Sequence, residues 1–250
     1  SSAIGGGYGT TAIAIGDAMK KEGLLKDYTV TYRSNAPLGL GYFYDQKDRK
    51  DLLLITGFAM PGGLATNGSK LSITTAKAVA GVMREAEAFV VPTSSKYKTI
   101  NDLLADIKAN PKSVAIGGGN YGGVDHVTVA ALAATVGVKA TDLNYIPYSG
   151  GGSLVPDVIG GRVAVGIAGT SEFASYVAAG KMRALAITSP KPLKVIKGKT
   201  LVQQGVDLTF GNWRGILAPA DLSDADLLNT QKIMDILHSS PSWNDTMDPK

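Results

Sequence analysis

At 250 residues, 44% apolar and 18% charged, the chain is long enough to bury a core in one large domain or two small ones, and extensive disorder is excluded. It contains no cysteine, which removes disulfide scaffolds, thiolate metal sites and cysteine nucleophiles together. The net charge of +4 comes from scattered Lys and Arg without interleaved aromatics, so nucleic-acid binding is not expected and an anionic small molecule fits the charge equally well.

No apolar run approaches the roughly 20 residues needed to cross a bilayer, and a soluble globular protein is predicted. The opening SSAIGGGYG, a glycine-rich loop with no strand before it, reads as trimmed at its start. Thr10–Lys21 then predicts a helix, followed by strands at Tyr28–Tyr32, Leu52–Thr56 and Ala88–Val91. Thr99 caps a predicted helix over Ile100–Ala109, and strand Ser113–Ile116 leads into helix Asp125–Val136, which ends at Gly137. Strand Asn144–Ile146, helix Gly152–Ile159, strand Val163–Ile167 and helix Ser171–Ala179, ending at Gly180, continue the alternation. Strands Ala184–Ile187 and Gly215–Leu217 precede a last helix, Ser223–Leu237, with Ser223 at its N-cap and a capping-box spacing to Asp226. Regular alternation of strand and helix predicts an α/β fold with mainly parallel sheets. The pattern breaks after Val91-Pro92 and again at Trp213. These two crossovers predict one lobe from residues 1–92 plus 213–250, a second from 93–212, and a ligand cleft between them.

The run SVAIGGGNYGGVDHVTVAALAA, Ser113 to Ala134, contains G-x-G-x-x-G at Gly117, Gly119 and Gly122, the spacing of a turn whose backbone cradles a phosphate. It is not alone. Gly5-Gly6-Gly7-Tyr8-Gly9, Ser149-Gly150-Gly151-Gly152 and Ala168-Gly169-Thr170-Ser171 also sit where a strand hands over to a helix. In open α/β sheets that edge is where ligands bind. Several helix N-termini aimed at one point form an anion trap from amide dipoles alone, and these loops contain almost no Lys or Arg. A small carboxylate suits such a site. A dinucleotide does not, because the following strand, NYIPYSGGG, ends without the ribose-binding acid. The phosphate-loop pattern G-x-x-x-x-G-K-[ST] is absent too.

No catalytic constellation or cofactor motif emerges. His126 opens a helix beside Asp125 and His238 ends another; His126 reads as a loop-bonded helix-start residue, Asp125 as an N-terminal cap, and a histidine metal site is not expected. Ser149, Thr170 and Ser171 lie outside any nucleophile motif and read as hydroxyls that satisfy backbone or ligand. Glu172 favours the positive end of its helix. Tyr8, Phe58, Tyr121 and Tyr148 stand at glycine-rich turns, as packing or as the walls of a pocket. Asn212-Trp213-Arg214-Gly215 reads two ways, with Trp213 as hinge packing and Arg214 as either a surface charge or a contact that closes the lobes.

The order and spacing of GGGYGTTAIAI, LLLITGFAM, FVVPTSSKYKTINDLLADIKANP, VAIGGGNYGGVDHV, NYIPYSGGG, VAVGIAGTSEF, AAGKMRALAITS and NWRGILAPADLSDA resemble the substrate-binding proteins of tripartite tricarboxylate transporters, of the TctC or Bug type. The resemblance implies a two-lobed, type II-like periplasmic-binding-protein (Venus flytrap) fold. It also implies a monomeric periplasmic receptor, not an enzyme, that needs no cofactor or metal. Such a receptor captures a small di- or tricarboxylate, citrate-like, and delivers it to membrane permease subunits. Contacts carried over by position are Gly7, Tyr8, Gly57, Phe58, Gly119, Asn120, Tyr121, Gly122, Gly123, Ser149, Gly150, Gly169 and Thr170. Where the family's first loop carries an acid and then an arginine, this chain has Gly9 and Ile13. The resemblance also places a strand ahead of Ser1 and further elements beyond Lys250. The alternative is an enzyme using the same crevice for a phosphorylated or nucleotide substrate.

Overall fold

The computed structural model describes residues 7–33, 35–46, 48–148 and 151–247. Two compact units make up the chain, Ser1–Met83 with Trp213–Lys250 (unit 1) and Arg84–Asn212 (unit 2). The chain passes between them inside two strands.

Unit 1 holds helices α1 (Gly7–Lys21), α2 (Ala36–Asp45) and α3 (Ala59–Thr66), strand β1 (Leu54–Gly57), the first half of β2 (Lys77–Pro92), most of β7 (Gly211–Ala218), and helices α8 (Asp224–His238) and α9 (Pro241–Met247). Strand order is β1-β7-β2, and β1 runs antiparallel to β7 with Gly57 opposite Arg214. Ile15, Ala18, Val79, Ile216, Met234, Leu237 and Trp243 form one core. Leu40, Phe43, Met60 and Leu64 form a second beneath α2 and α3. Helix α1 accommodates Gly9 and Gly16 because aromatic rings lie against both: a Cβ at Gly16 would sit 2.6 Å from Tyr28, and one at Gly9 2.6 Å from Tyr32. That contact explains why 28–32 is not the strand its tyrosines and valine suggest. The segment lies over α1, with the Tyr28 hydroxyl donating to Asp17 Oδ1 at 2.5 Å, and it pairs with no strand among the described residues. Helix α2 escapes a periodicity reading because Pro37, Gly39 and Gly41 break it up. Its start is nevertheless well capped, Asn35 accepting from Leu38 N at 2.9 Å with proline in the first turn.

Unit 2 holds the rest of β2, then α4 (Ile100–Ala109), β3 (Ala115–Gly118), α5 (Val124–Ala134), β4 (Asn144–Pro147), α6 (Gly151–Ile159), β5 (Val165–Gly169), α7 (Thr170–Ala178) and β6 (Met182–Ile187). β3 pairs in parallel with both β4 and β5. β2 runs antiparallel to β5 and to β6. The sheet of unit 2 is therefore mixed: β3, β4, β5 and β6 run one way, the parallel arrangement expected from alternation, while β2 runs against them. Two buried clusters cover the sheet, one around Phe89, Ile116, Leu132 and Ile167 and one around Val90, Leu154, Val158 and Phe173. All five residues of β5 are buried, as expected of a strand covered on both faces. The Thr99 cap forms as a full capping box with Asp102, and Gly137 and Gly180 close their helices at φ +81° and +66°.

Candidate functional site

In unit 1 the end of β1 and the start of α3 gather Tyr8, Gly57, Phe58, Thr56 and Arg214. Phe58 N donates to Trp213 O at 3.3 Å, which brings the β1–α3 turn onto β7. A side chain at Gly57 would run into that same carbonyl and would meet the Tyr8 hydroxyl at 3.1 Å, so glycine is required for the close approach. Tyr8, one residue into α1, points its ring at this turn. Its buried hydroxyl has no hydrogen-bond partner, although the N–H groups of Met60 and Ala59 face it. Burial pushes its pKa up to about 12 against the opposing pull of those amides and of Arg214. The Thr56 hydroxyl is likewise buried and unpartnered, as is Arg214 Nε. Arg214 Nη1 donates to the Thr11 hydroxyl at 2.7 Å. A guanidinium, the Tyr8 hydroxyl and the N–H end of α3 thus gather at this turn, a set of groups suited to an anion. Ile13, in the place of the family's arginine, is 41% exposed, and the cation at α1 comes from β7 instead.

In unit 2 the glycine turns carry acids. After β3, Gly119 N donates to Asp125 Oδ2 at 2.6 Å, Gly122 N donates to His126 Nδ1 at 3.2 Å and Gly123 N donates to Asn120 O at 3.0 Å. The glycine turn after β3 is thus closed on itself, with the amides of Gly119, Gly122 and Gly123 bonded locally. The Tyr145 hydroxyl donates to Gly119 O at 2.7 Å, and the rings of Tyr121, His126 and Tyr145 meet with centroids 4.8–5.6 Å apart. Burial lowers the pKa of His126, consistent with an unprotonated Nδ1 that accepts. Tyr148 lies over Gly117 and donates to Asp157 Oδ2 at 2.6 Å, which assigns it to packing on α6.

At the start of α7, Ser171 N and its hydroxyl both donate to Glu85 Oε1, the amide at 3.0 Å. A Cβ on Gly169 would fall 2.6 Å from that carboxylate. Thr170 is buried beside it. Glu87, two residues along β2 and on the same face, lies opposite Gly169 and is 1% exposed. Its backbone is held by Thr188, whose hydroxyl accepts from Glu87 N at 2.8 Å. Neither carboxylate oxygen of Glu87 has a donor among the described residues; its neighbour is Asp125. Burial, and then the Asp125 charge, push its pKa up to about 10, and burial raises Asp125 as well. Ser149 and Gly150 lie outside the described residues, and Gly7 opens α1.

A substitution at the base of the glycine turn after β3 tests this packing. Alanine at Gly118 would place Cβ 2.5 Å from the Tyr145 hydroxyl and 2.8 Å from Ile167. Gly118→Ala is therefore expected to cost about 1–3 kcal/mol by overpacking, read as a lower denaturant midpoint at unchanged slope. Valine at Gly123 would meet Asn120 O at 2.9 Å, so that change strains the turn itself.

A family model described as the tripartite tricarboxylate transporter family receptor matches residues 67–247. The chain belongs to this family. Among curated relatives, the receptor-family chain is 29% identical over 126 residues to the "UPF0065 protein in the TAR-I ttuE-ttuC' intergenic region" of Agrobacterium vitis, covering 50% of this chain and 36% of that protein. The chain thus spans well under two thirds of that relative's length. Its fold is shared with a TctC solute binding protein from Polaromonas (TM-score 0.80, 21% identity, 98% of this chain and 84% of that one). It is shared also with MatC from Rhodopseudomonas palustris, solved with bound malate (TM-score 0.76, 16% identity, the same coverage). The α/β architecture of periplasmic binding proteins expected from the motif order is therefore the one adopted.

Motif reasoning passes over Glu85 and Glu87, and it takes Arg214 as a surface charge or a lobe-closing contact and leaves it out of the binding residues. Glu85 and Glu87 did carry a signal: acids at i and i+2 within an extended apolar run share one face of a strand.

Proposed function

We propose that this chain is a periplasmic receptor that captures a small organic acid and delivers it to the membrane permease subunits of a tripartite tricarboxylate transporter. Di- or tricarboxylates, citrate-like, are the first class to test. The observation that carries this reading is the corner of unit 1 where Arg214 Nε is buried without a partner and the Tyr8 hydroxyl is buried close to the Arg214 charge. Family membership supports receptor over enzyme, and malate is bound by the Rhodopseudomonas relative in fold. In this reading Tyr8, Gly57 and Phe58 serve the acid group, with Gly119 to Gly123, Gly169 and Thr170 as further contacts, and the receptor works as a monomer without a cofactor. No helix among the described residues is long and apolar enough to cross a membrane.

Calorimetric titration with citrate, malate, succinate, adipate and NAD tests it. Saturable binding of at least one acid at micromolar concentration is expected. Binding of NAD alone would favour an enzyme for a nucleotide substrate and would end the proposal.

A further inference from the structure

We propose that Glu87, as a neutral carboxylic acid, is the positioning residue of the glycine turn after β3, its O–H donating to Asp125 and so fixing the carboxylate that holds Gly119 N. The inference rests on the small-acid receptor reading only for what the turn then does, since Gly119 to Gly123 are contacts proposed there.

The direction of that bond follows from where each acid lies. Glu87 is 1% exposed and neither of its carboxyl oxygens receives an N–H or O–H among the described residues. Asp125 is half-buried and accepts from Gly119 N at 2.6 Å. Two carboxyl groups bond to each other only while one of them keeps its proton. The more deeply buried acid, with no donor of its own, is the costlier to ionise. Glu87 therefore donates and Asp125 accepts, and burial, followed by the Asp125 charge and hydrogen bond, raises the Glu87 carboxyl to about 10. The charges acting on Glu87 from Asp125 on α5, Glu85 on its own strand and Glu172 on α7 are all negative. His126, next to Asp125 on α5, accepts from Gly122 N and has its pKa lowered by burial, so it brings no positive charge. Tyr145 on β4 also faces the pair and is held neutral by burial and by both acids.

The backbone of Glu87 is clamped and cannot move to relieve a second charge. The Thr188 hydroxyl accepts from Glu87 N at 2.8 Å, and Thr188 N donates to Glu87 O at 2.9 Å. Asp125, half-buried in the first turn of α5, is the partner free to shift. Ionising Glu87 pushes Asp125 outwards and takes its oxygen from Gly119 N. The fit there is close, for a Cβ on Gly119 would fall 2.9 Å from Asp125 Oδ2. The carbonyl of the same residue accepts from the Tyr145 hydroxyl at 2.7 Å. The peptide groups on both sides of Gly119 are thus held by two side chains, one of which depends on a proton carried by a third. An acid that merely filled space could be replaced by an apolar side chain of its length, whereas a positioning acid can be replaced only by another donor.

Solution NMR of the full chain between pH 6 and pH 10, following the Gly119 amide proton and the Glu87 carboxyl carbon, tests this without any solute. In the parent the Glu87 carbon is expected to titrate far above its ordinary 4.5. The Gly119 amide, downfield while bonded to a carboxylate, should move upfield with the same midpoint. In Glu87→Gln, whose amide donates in place of the acid, the Gly119 signal should stay downfield throughout, and in Glu87→Met it should already be upfield at pH 6. A Glu87 carbon that titrates near 4.5, or a parental Gly119 signal independent of pH, would overturn the proposal, and neither result needs a variant to fold. Capture should follow the same order. With whichever acid binds the parent at pH 7, Glu87→Gln is expected to keep the affinity and Glu87→Met to lose about tenfold, the loss when the ordered turn falls to roughly a tenth of the population. Glu87→Met binding as tightly as Glu87→Gln would overturn the turn's part in capture. Failure of every acid to bind would remove the receptor reading, and the NMR comparison would still decide the positioning role.

Discussion

Replacing Arg214 by methionine is expected to weaken binding of a carboxylate solute by about 100-fold, without lowering the melting temperature. The guanidinium sits at the end of β1 with Nη1 on the Thr11 hydroxyl and Nε buried without a partner. Its described hydrogen-bond partner is neutral, so the folded chain bears a partly desolvated cation whose attraction is available to a bound anion. Losing one side of a desolvated, charge-assisted contact costs roughly 2–5 kcal/mol of binding, and 100-fold lies at the lower end of that range. The same removal relieves the burial of an unpaired polar nitrogen, so stability holds or rises. Lysine at this position keeps the charge but not the planar fork that donates to Thr11 while presenting Nε, and Arg214→Lys should retain only part of the affinity. The measurement is calorimetric titration of the parent and both variants with whichever acid binds the parent. Equal affinities in all three would show that the Arg214 corner takes no part in capture.

The sequence made the alternating α/β plan legible because most helices and strands of unit 2 follow ordinary signals. Thr99 and Ser223 cap their helices through Asp102 N and Asp226 N, and Gly137 and Gly180 end theirs. Unit 1 was harder to read for physical reasons. Helix α2 hides behind Pro37, Gly39 and Gly41, and 28–32 has the composition of a strand but serves as a lid of rings over Gly9 and Gly16. Strand β2 runs over Lys77–Pro92, yet only its apolar end announces itself, because Gly81 and the charged Arg84, Glu85 and Glu87 interrupt the residues before Ala88. The glycine turns were visible as turns. Their electrostatics were not, since the acids that bond the start of α7 come from β2, 86 positions away in the case of Glu85 and Ser171. A motif reading registers which loops can offer amides. It does not register which amides a distant side chain has already engaged, and that distinction separates an anion cradle from an acidic corner.

Glu87→Gln is expected to leave the protein increasingly more stable than the parent as the pH rises from 5 to 9. Burial pushes the Glu87 carboxyl from its ordinary 4.5 to about 10, so the folded chain holds a proton that the unfolded chain gives up near pH 4.5. A group raised in this way contributes its full stability below the unfolded pKa and loses it progressively as pH climbs towards the folded one. Each pH unit within that window costs the parent up to about 1.4 kcal/mol. Between pH 6 and pH 8 the accumulated difference is therefore at most about 3 kcal/mol. For a chain of this size that is roughly 5–10 °C in melting temperature. Asp125 is raised in the same direction and steepens the parent's decline. Glu85, Glu172 and Asp125 repel a charged Glu87, so ionising it without a cation is opposed from β2, α7 and α5 at once. Glutamine has no proton to lose, and its amide can donate to Asp125 where the protonated acid does now. The two curves should nearly coincide at pH 5 and separate steadily above it. Melting curves whose separation is the same at pH 5 and pH 9 would show that Glu87 is ionised in the folded chain, with a counter-charge of its own.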